Sequence, residues 1–131
     1  YSKGVAVLPQ DKVEEMAGSD KERWIGLSEK DRKAKLFSFE NPVPEVAVDQ
    51  NNRQANFDNL TSTDDHLMHI TGLATDQNGT TYFYTKNSWG SDGVHNGYLY
   101  MSEPFIRMKT IAIMIHKNAL PKETAKTLGI K

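Results

Sequence analysis

Apolar positions follow two different periods along this chain, helical in the first half and alternating in the second. Val13, Met16 and Ala17 lie at i, i+3, i+4 after Pro9, Gln10 and Asp11, which predicts a short helix stopped by Gly18. Ser19 and Asp20 can cap a second helix containing Trp24, Ile25 and Leu27. Ser28-Glu29-Lys30-Asp31 is close to a capping box and precedes Ala34, Leu36 and Phe37, a third helix with a thin packing face. Pro42 and Pro44 then impose a surface loop, because proline removes donors and biases its predecessor to extended conformations. A further helix is expected from Gln50 to Asp58, capped by Asp49 and anchored by Ala55 and Phe57.

From His66 onward the pattern is that of strands. His66 to Ala74 and Thr80 to Lys86 flank Asp76-Gln77-Asn78-Gly79, and an Asn-Gly between β-branched and aromatic runs is a strong hairpin signal. Gly97 to Met101 and Thr110 to His116 read as two more strands, with Pro104 opening a helical step through Phe105 and Ile106. The expectation is an antiparallel sheet of at least four strands. Pro121 and Gly129 bracket a last helical turn or two.

The length of 131 residues suits one domain with a modest core, although residues 1–48 differ in character from 49–131. We expect the first part to be a helical and loop segment packing on the second. Sixteen basic and 17 acidic side chains are interspersed, for a formal net charge of -1, which offers no electrostatic footprint for nucleic acid or an anionic membrane. The longest apolar run, Ile111 to Ile115, is strand-sized, so a soluble protein is expected. The first residues show neither a Met start nor the apolar core of a signal peptide, which suggests numbering that begins inside a longer chain. The absence of cysteine excludes disulfides and thiolate metal sites and leaves the compartment open.

Candidate chemistry sits in Asp65-His66-Leu67-Met68 and Lys86-Asn87-Ser88-Trp89-Gly90. His66 opens one predicted strand and Asn87 closes its partner, so the hairpin can bring an imidazole beside an amide. A thiol peptidase needs an imidazole to move the thiol proton and a third group to hold the ring; Asn does so without adding charge. Trp89, expected on the face of Asn87, can cover their hydrogen bond. His66 and His69 have a His-x-x-His spacing, but residues three apart on a strand point to opposite faces, so no metal is expected. A carboxylate dyad of Asp64 and Asp65 is disfavoured because adjacent strand residues diverge, and cap or turn roles fit better. His69 is expected on the other face, His95 on the surface of a turn-rich loop, and His116 in a structural role near the end of the last strand.

These two motifs, with Gly72, Asn96-Gly97-Tyr98-Leu99, Ser102-Glu103-Pro104-Phe105 and Ile115-His116-Lys117, resemble the C-terminal half of papain-like cysteine peptidases. The similarity is greatest to the bleomycin hydrolase and aminopeptidase C family. Arg53 to Asn59 followed by Thr63-Asp64-Asp65-His66 resembles a bacterial branch of it, and the match is specific from about Asp49 to Lys117. The resemblance implies an α+β papain-like fold, mainly the antiparallel β-sheet or barrel lobe with a few short flanking helices. It also implies His66 as catalytic imidazole, Asn87 as its orienting amide, Trp89 as shield, and no cofactor. The nucleophilic Cys and the oxyanion-hole Gln belong to an N-terminal lobe that would precede Tyr1, making this chain the C-terminal fragment of an aminopeptidase. The rival is a stand-alone lobe that binds a peptide or protein without catalysis. For the whole enzyme the resemblance implies peptide substrates, a homohexamer, a cytoplasmic location with export as the alternative, and a C-terminal carboxylate, here on Lys131, that receives the substrate amine.

Overall fold

The computed structural model describes residues 3–12 and 18–130. The helix expected over Val13, Met16 and Ala17 falls largely outside them, as does Lys131. The elements in chain order are β1 (Val5–Ala6), α1 (Gly18–Trp24), α2 (Glu29–Leu36), α3 (Gln50–Asp58), β2 (His69–Thr75), β3 (Thr81–Lys86), β4 (Tyr98–Ser102), α4 (Glu103–Lys109), a 3-10 turn (Lys117–Ala119) and α5 (Lys122–Thr127). The sheet order is β1-β4-β3-β2. Its β2–β3 and β3–β4 pairs are antiparallel, whereas β1 runs parallel to β4. This mixture of short helices and a four-stranded sheet is the α+β architecture expected.

Local sequence explains the helix boundaries. The Asp49 side chain accepts from the Asn52 amide while the Asn52 side chain accepts from the Asp49 amide, a reciprocal cap satisfying two donors that a helix start leaves over. Ser28 caps α2 through the Asp31 amide, and Ser102 caps α4 through the Phe105 amide, with Pro104 in the first turn. Gly18, expected to stop a helix, instead lies in α1, which ends at Trp24 before Ile25 and Leu27.

Two small cores result. Trp24 and Leu36 pack with Leu27 and Val43. Ala6, Leu99 and Met101 pack with Met68, Phe83, Phe105 and Ile106, which seats α4 on one face of the sheet. The chain before residue 49 is tied to this sheet by β1 and by Glu45, whose carboxylate accepts from the Leu8 amide (2.7 Å) and the Ser102 hydroxyl (2.5 Å). Burial pushes the Glu45 carboxyl above its ordinary range despite these two bonds.

The opposite sheet face carries an aromatic stack. Tyr84 lies 4.7 Å from Tyr98 and 5.0 Å from Tyr100, Lys86 sits over Tyr98, and the His95 ring meets Tyr100 edge-on at 5.2 Å. His95 is therefore half-buried rather than a surface loop residue, seated over Gly4, where an added Cβ would come within 2.3 Å of the ring.

Three further expectations need correction. The β2–β3 hairpin forms, but its last pair is Thr75–Thr81 and only Gly79 has a positive φ, so the turn is not a two-residue Asn-Gly one. Asp76 organises the wider loop by accepting from the amides of Asn78 and Thr80. Second, Thr110 to His116 is not a strand: it belongs to no regular element and pairs with no described segment, and β1 takes the fourth place in the sheet. A strand needs a neighbour to satisfy its backbone, and no described strand pairs with this segment. Third, His116 consequently ends no strand; it caps the 3-10 turn, its Nδ1 accepting from the Asn118 amide at 3.3 Å.

Candidate active site

Asn87 is the first residue past β3, and three hydrogen bonds hold it. Its amide N–H donates to the Gly97 carbonyl at 2.9 Å, and its Oδ1 accepts from the Ser88 amide at 2.7 Å and from His66 at 2.8 Å. Because a carbonyl oxygen only accepts, the histidine nitrogen in that bond, Nε2, carries the proton. The neutral ring therefore keeps its lone pair on Nδ1. The Asn87 side chain is buried, and its Nδ2 has no hydrogen-bond partner among the described residues.

His66 lies on the approach to β2, three residues before its start, rather than within a strand. Two anchors place it. Upstream, the buried Ser62 receives support from the Asn56 carbonyl through its amide (2.9 Å) and donates its hydroxyl to the Met108 carbonyl (3.3 Å). Downstream, Met68 packs into the sheet core. Because His66 lies outside β2, strand alternation does not set its direction relative to His69. Pairing of His69 with Lys86 nonetheless places it on the side of the tyrosine stack. Among the described residues no group of three His, Asp or Glu side chains could hold a metal ion.

The 90–97 loop closes tightly on this arrangement. Gly97 has φ +83°, and a Cβ there would lie 1.8 Å from the Gly90 carbonyl oxygen, so only glycine lets the two loop ends meet while Gly97 supports Asn87. Trp89 lies in the turn beyond β3, where strand alternation does not reach, and is 47 % exposed. Asp64 and Asp65 are exposed, and among the described residues neither bonds to His66.

The structure thus brings His66 and Asn87 together, 21 residues apart in sequence. Sequence reasoning missed the Ser88 amide and the Gly97 carbonyl as the groups that fix Asn87. The first had a signal, since Asn side chains commonly bond to nearby backbone amides; the second depends on loop closure and had none. Chemically, the pair is an exposed imidazole whose Nδ1 can take up a proton and whose orientation is set by a neutral amide. A hydrogen-bonded Nε2–H also stabilises the imidazolium once the proton has arrived.

The model of the Peptidase C1-like family matches residues 17–130, reaching further toward the N-terminus than the motifs around His66 and Asn87. A search among curated proteins finds no match.

Proposed function

The chain belongs to the Peptidase C1-like family, and from that premise we propose that it supplies the imidazole and amide of a cysteine aminopeptidase. The hydrogen bond from His66 Nε2 to Asn87 Oδ1 is the observation that carries this reading. In it, Nδ1 of His66 takes the proton of a thiol, the thiolate attacks the peptide carbonyl, and the imidazolium returns the proton to the leaving amine. Asn87 holds the ring throughout, and Trp89 limits water at their hydrogen bond. The chain contains no cysteine, so the thiol and the oxyanion-binding Gln come from a further segment of the same enzyme.

The substrates in this reading are peptides shortened one residue at a time from a free N-terminus. The carboxylate of Lys131 receives the substrate amine, and the enzyme is a cytoplasmic homohexamer. Among the described residues no helix is long and apolar enough to cross a membrane.

The test is turnover by the complete gene product. His66→Ala should reduce kcat by about 10²- to 10⁴-fold, the usual contribution of a general acid–base group, and Asn87→Ala should reduce it less. Removal of Ile130 and Lys131 should abolish the preference for free over N-acetylated peptides. Unchanged turnover in His66→Ala would leave the lobe as a binding module without catalysis.

A further inference from the structure

His66 and Asn87 meet from two separately built parts of the molecule. Asn87 belongs to the sheet: its amide donates to the Gly97 carbonyl, Gly97 leads straight into β4, and β4 runs into α4 through the Ser102 cap. His66 instead arrives from α3 along residues 59–65, in which Leu60 has φ +61° and Thr63, Asp64 and Asp65 are exposed. This linker meets α4 at two points. The Ser62 hydroxyl donates to the Met108 carbonyl at 3.3 Å, and the Lys109 ammonium donates to the Thr61 carbonyl at 2.8 Å. α3 itself is joined to α4 by the half-buried Arg53, whose Nη1 donates to the Arg107 carbonyl and whose Nη2 donates to the Thr110 carbonyl at 2.6 Å. These carbonyls lie at a helix end, where intrahelical partners run out.

We propose that Arg53 is a positioning residue for the His66 imidazole: its fork on the last turn of α4 fixes the base from which the 59–65 linker delivers that ring to Asn87. The catalytic meaning of this role rests on the proposed peptidase function. Three observations carry it. The hydrogen bonds close a ring, because Arg53 ties α3 to α4, the Asn56 carbonyl of α3 accepts from the Ser62 amide at 2.9 Å, and the Ser62 hydroxyl returns to α4. A shift of α3 therefore moves Ser62, and His66 follows only four residues later. Second, a guanidinium presents its donors in a rigid plane, so it sets direction as well as distance between the two helices. Lys109 makes a single exposed contact through a flexible stem and sets neither. Third, Ser62 is buried whereas Thr63, Asp64 and Asp65 are exposed, so the hold on the linker is set at Ser62. Such a hold matters because a misplacement of about 1 Å at a reacting group can cost about 10²-fold in rate.

The test compares Arg53→Met, Arg53→Lys and Leu36→Ala in the complete gene product, below the melting temperature of each. Leu36 is buried in the Trp24 core, which shares no residue with the ring of bonds, so its truncation controls for lost stability alone. One readout is the split between kcat and KM. The other is the hydrogen-bonded Nε2 proton of His66 in protein labelled with 15N-histidine, identified as the ring resonance absent from His66→Ala. Arg53→Met should lower kcat by up to about 10²-fold with KM little changed, and should broaden or remove the ring signal. Arg53→Lys, which keeps the charge and loses the fork, should show a smaller loss in both, and Leu36→Ala should lose neither. Arginine variants that melt lower yet keep kcat and the ring signal would overturn the proposal, and so would a Leu36→Ala loss equal to that of Arg53→Met. If Arg53→Met fails to fold, Arg53→Lys decides. Unchanged turnover in His66→Ala would defeat the peptidase reading instead, and the ring signal alone would then decide whether Arg53 positions His66.

Discussion

Residues 81–86, Thr-Tyr-Phe-Tyr-Thr-Lys, and residues 110–116, Thr-Ile-Ala-Ile-Met-Ile-His, carry equally strong strand sequences, yet only the first lies in a sheet. The difference is neighbours. β3 has β2 on one side, reached through a short loop, and β4 on the other. Residues 110–116 leave α4 with no described strand paired to them, although the Arg53 side chain reaches the Thr110 carbonyl. Strand propensity describes a side chain that fits a pleated, half-buried surface, and it does not create that surface. A short loop makes the first pairing entropically cheap, whereas a distant partner must be supplied by the rest of the fold.

The largest expected effect separates the two regions within this chain. Met101→Ala empties a packed position of the sheet core and should cost about 2–5 kcal/mol. Ile113→Ala, at an exposed position, should stay within about 0.5 kcal/mol. Urea unfolding of the 131-residue chain measures both, and an equal cost at Ile113 would mean that the segment already packs within the chain.

Next comes the loop that supports Asn87. Gly97→Ala combines a positive φ with a contact no backbone tolerates, and should destabilise by roughly 1–3 kcal/mol. In the complete enzyme it should also lower turnover, since the Gly97 carbonyl holds the Asn87 amide. A destabilised variant that kept full turnover at low temperature would uncouple the loop from the site.

A smaller, pH-dependent effect tests how the first 48 residues are tied to the sheet. Burial raises the Glu45 carboxyl above its unfolded value, so the folded state holds the proton more tightly than the unfolded state. The associated stability is fully present below the unfolded value and is lost as pH rises through the folded one. Glu45→Gln removes the titration while retaining a carbonyl acceptor for Leu8 and Ser102. It should flatten the fall in melting temperature from the ordinary carboxylate range upward; an unchanged profile would place that pH dependence elsewhere. Tyr82, pushed up to about 12 by burial and by the charges of Asp76 and Glu45, should stay protonated across the same scan.

The smallest effect is expected just beyond α3. Leu60 is exposed and has φ +61°, a left-handed conformation costing a branched residue about 1–2 kcal/mol, of which glycine's extra unfolded-state freedom returns a part. Leu60→Gly should therefore stabilise by up to about 1 kcal/mol, read as a rise in melting temperature. A loss would show that the leucine side chain contributes more than its exposure indicates.

What could be read from the sequence was local. The caps of α2 and α3, the helical step opened by Pro104 and the pairing of β2 with β3 each depend on residues within a few positions of one another, and each forms as expected, although the hairpin turn is wider than a two-residue Asn-Gly one. The meeting of His66 and Asn87 was also legible, because the hairpin between them closes the distance. Pairings between remote segments were not. Nothing in Val5-Ala6 announces a parallel partner at Tyr100-Met101, and nothing in Thr110 to His116 says that it pairs with none of the described residues. The same holds for the Gly97 carbonyl beneath Asn87, which depends on how a whole loop folds back.

In the proposed reading His66, oriented by Asn87, activates a thiol supplied by another segment. Alkylation by iodoacetamide in the complete gene product at mildly acidic pH tests it most directly, because only an ion-paired thiolate reacts well below the ordinary thiol pKa of about 8.5. One cysteine should label rapidly in the wild type, with a large loss of rate in His66→Ala and an intermediate rate in Asn87→Ala. Equal labelling rates in all three proteins would contradict it.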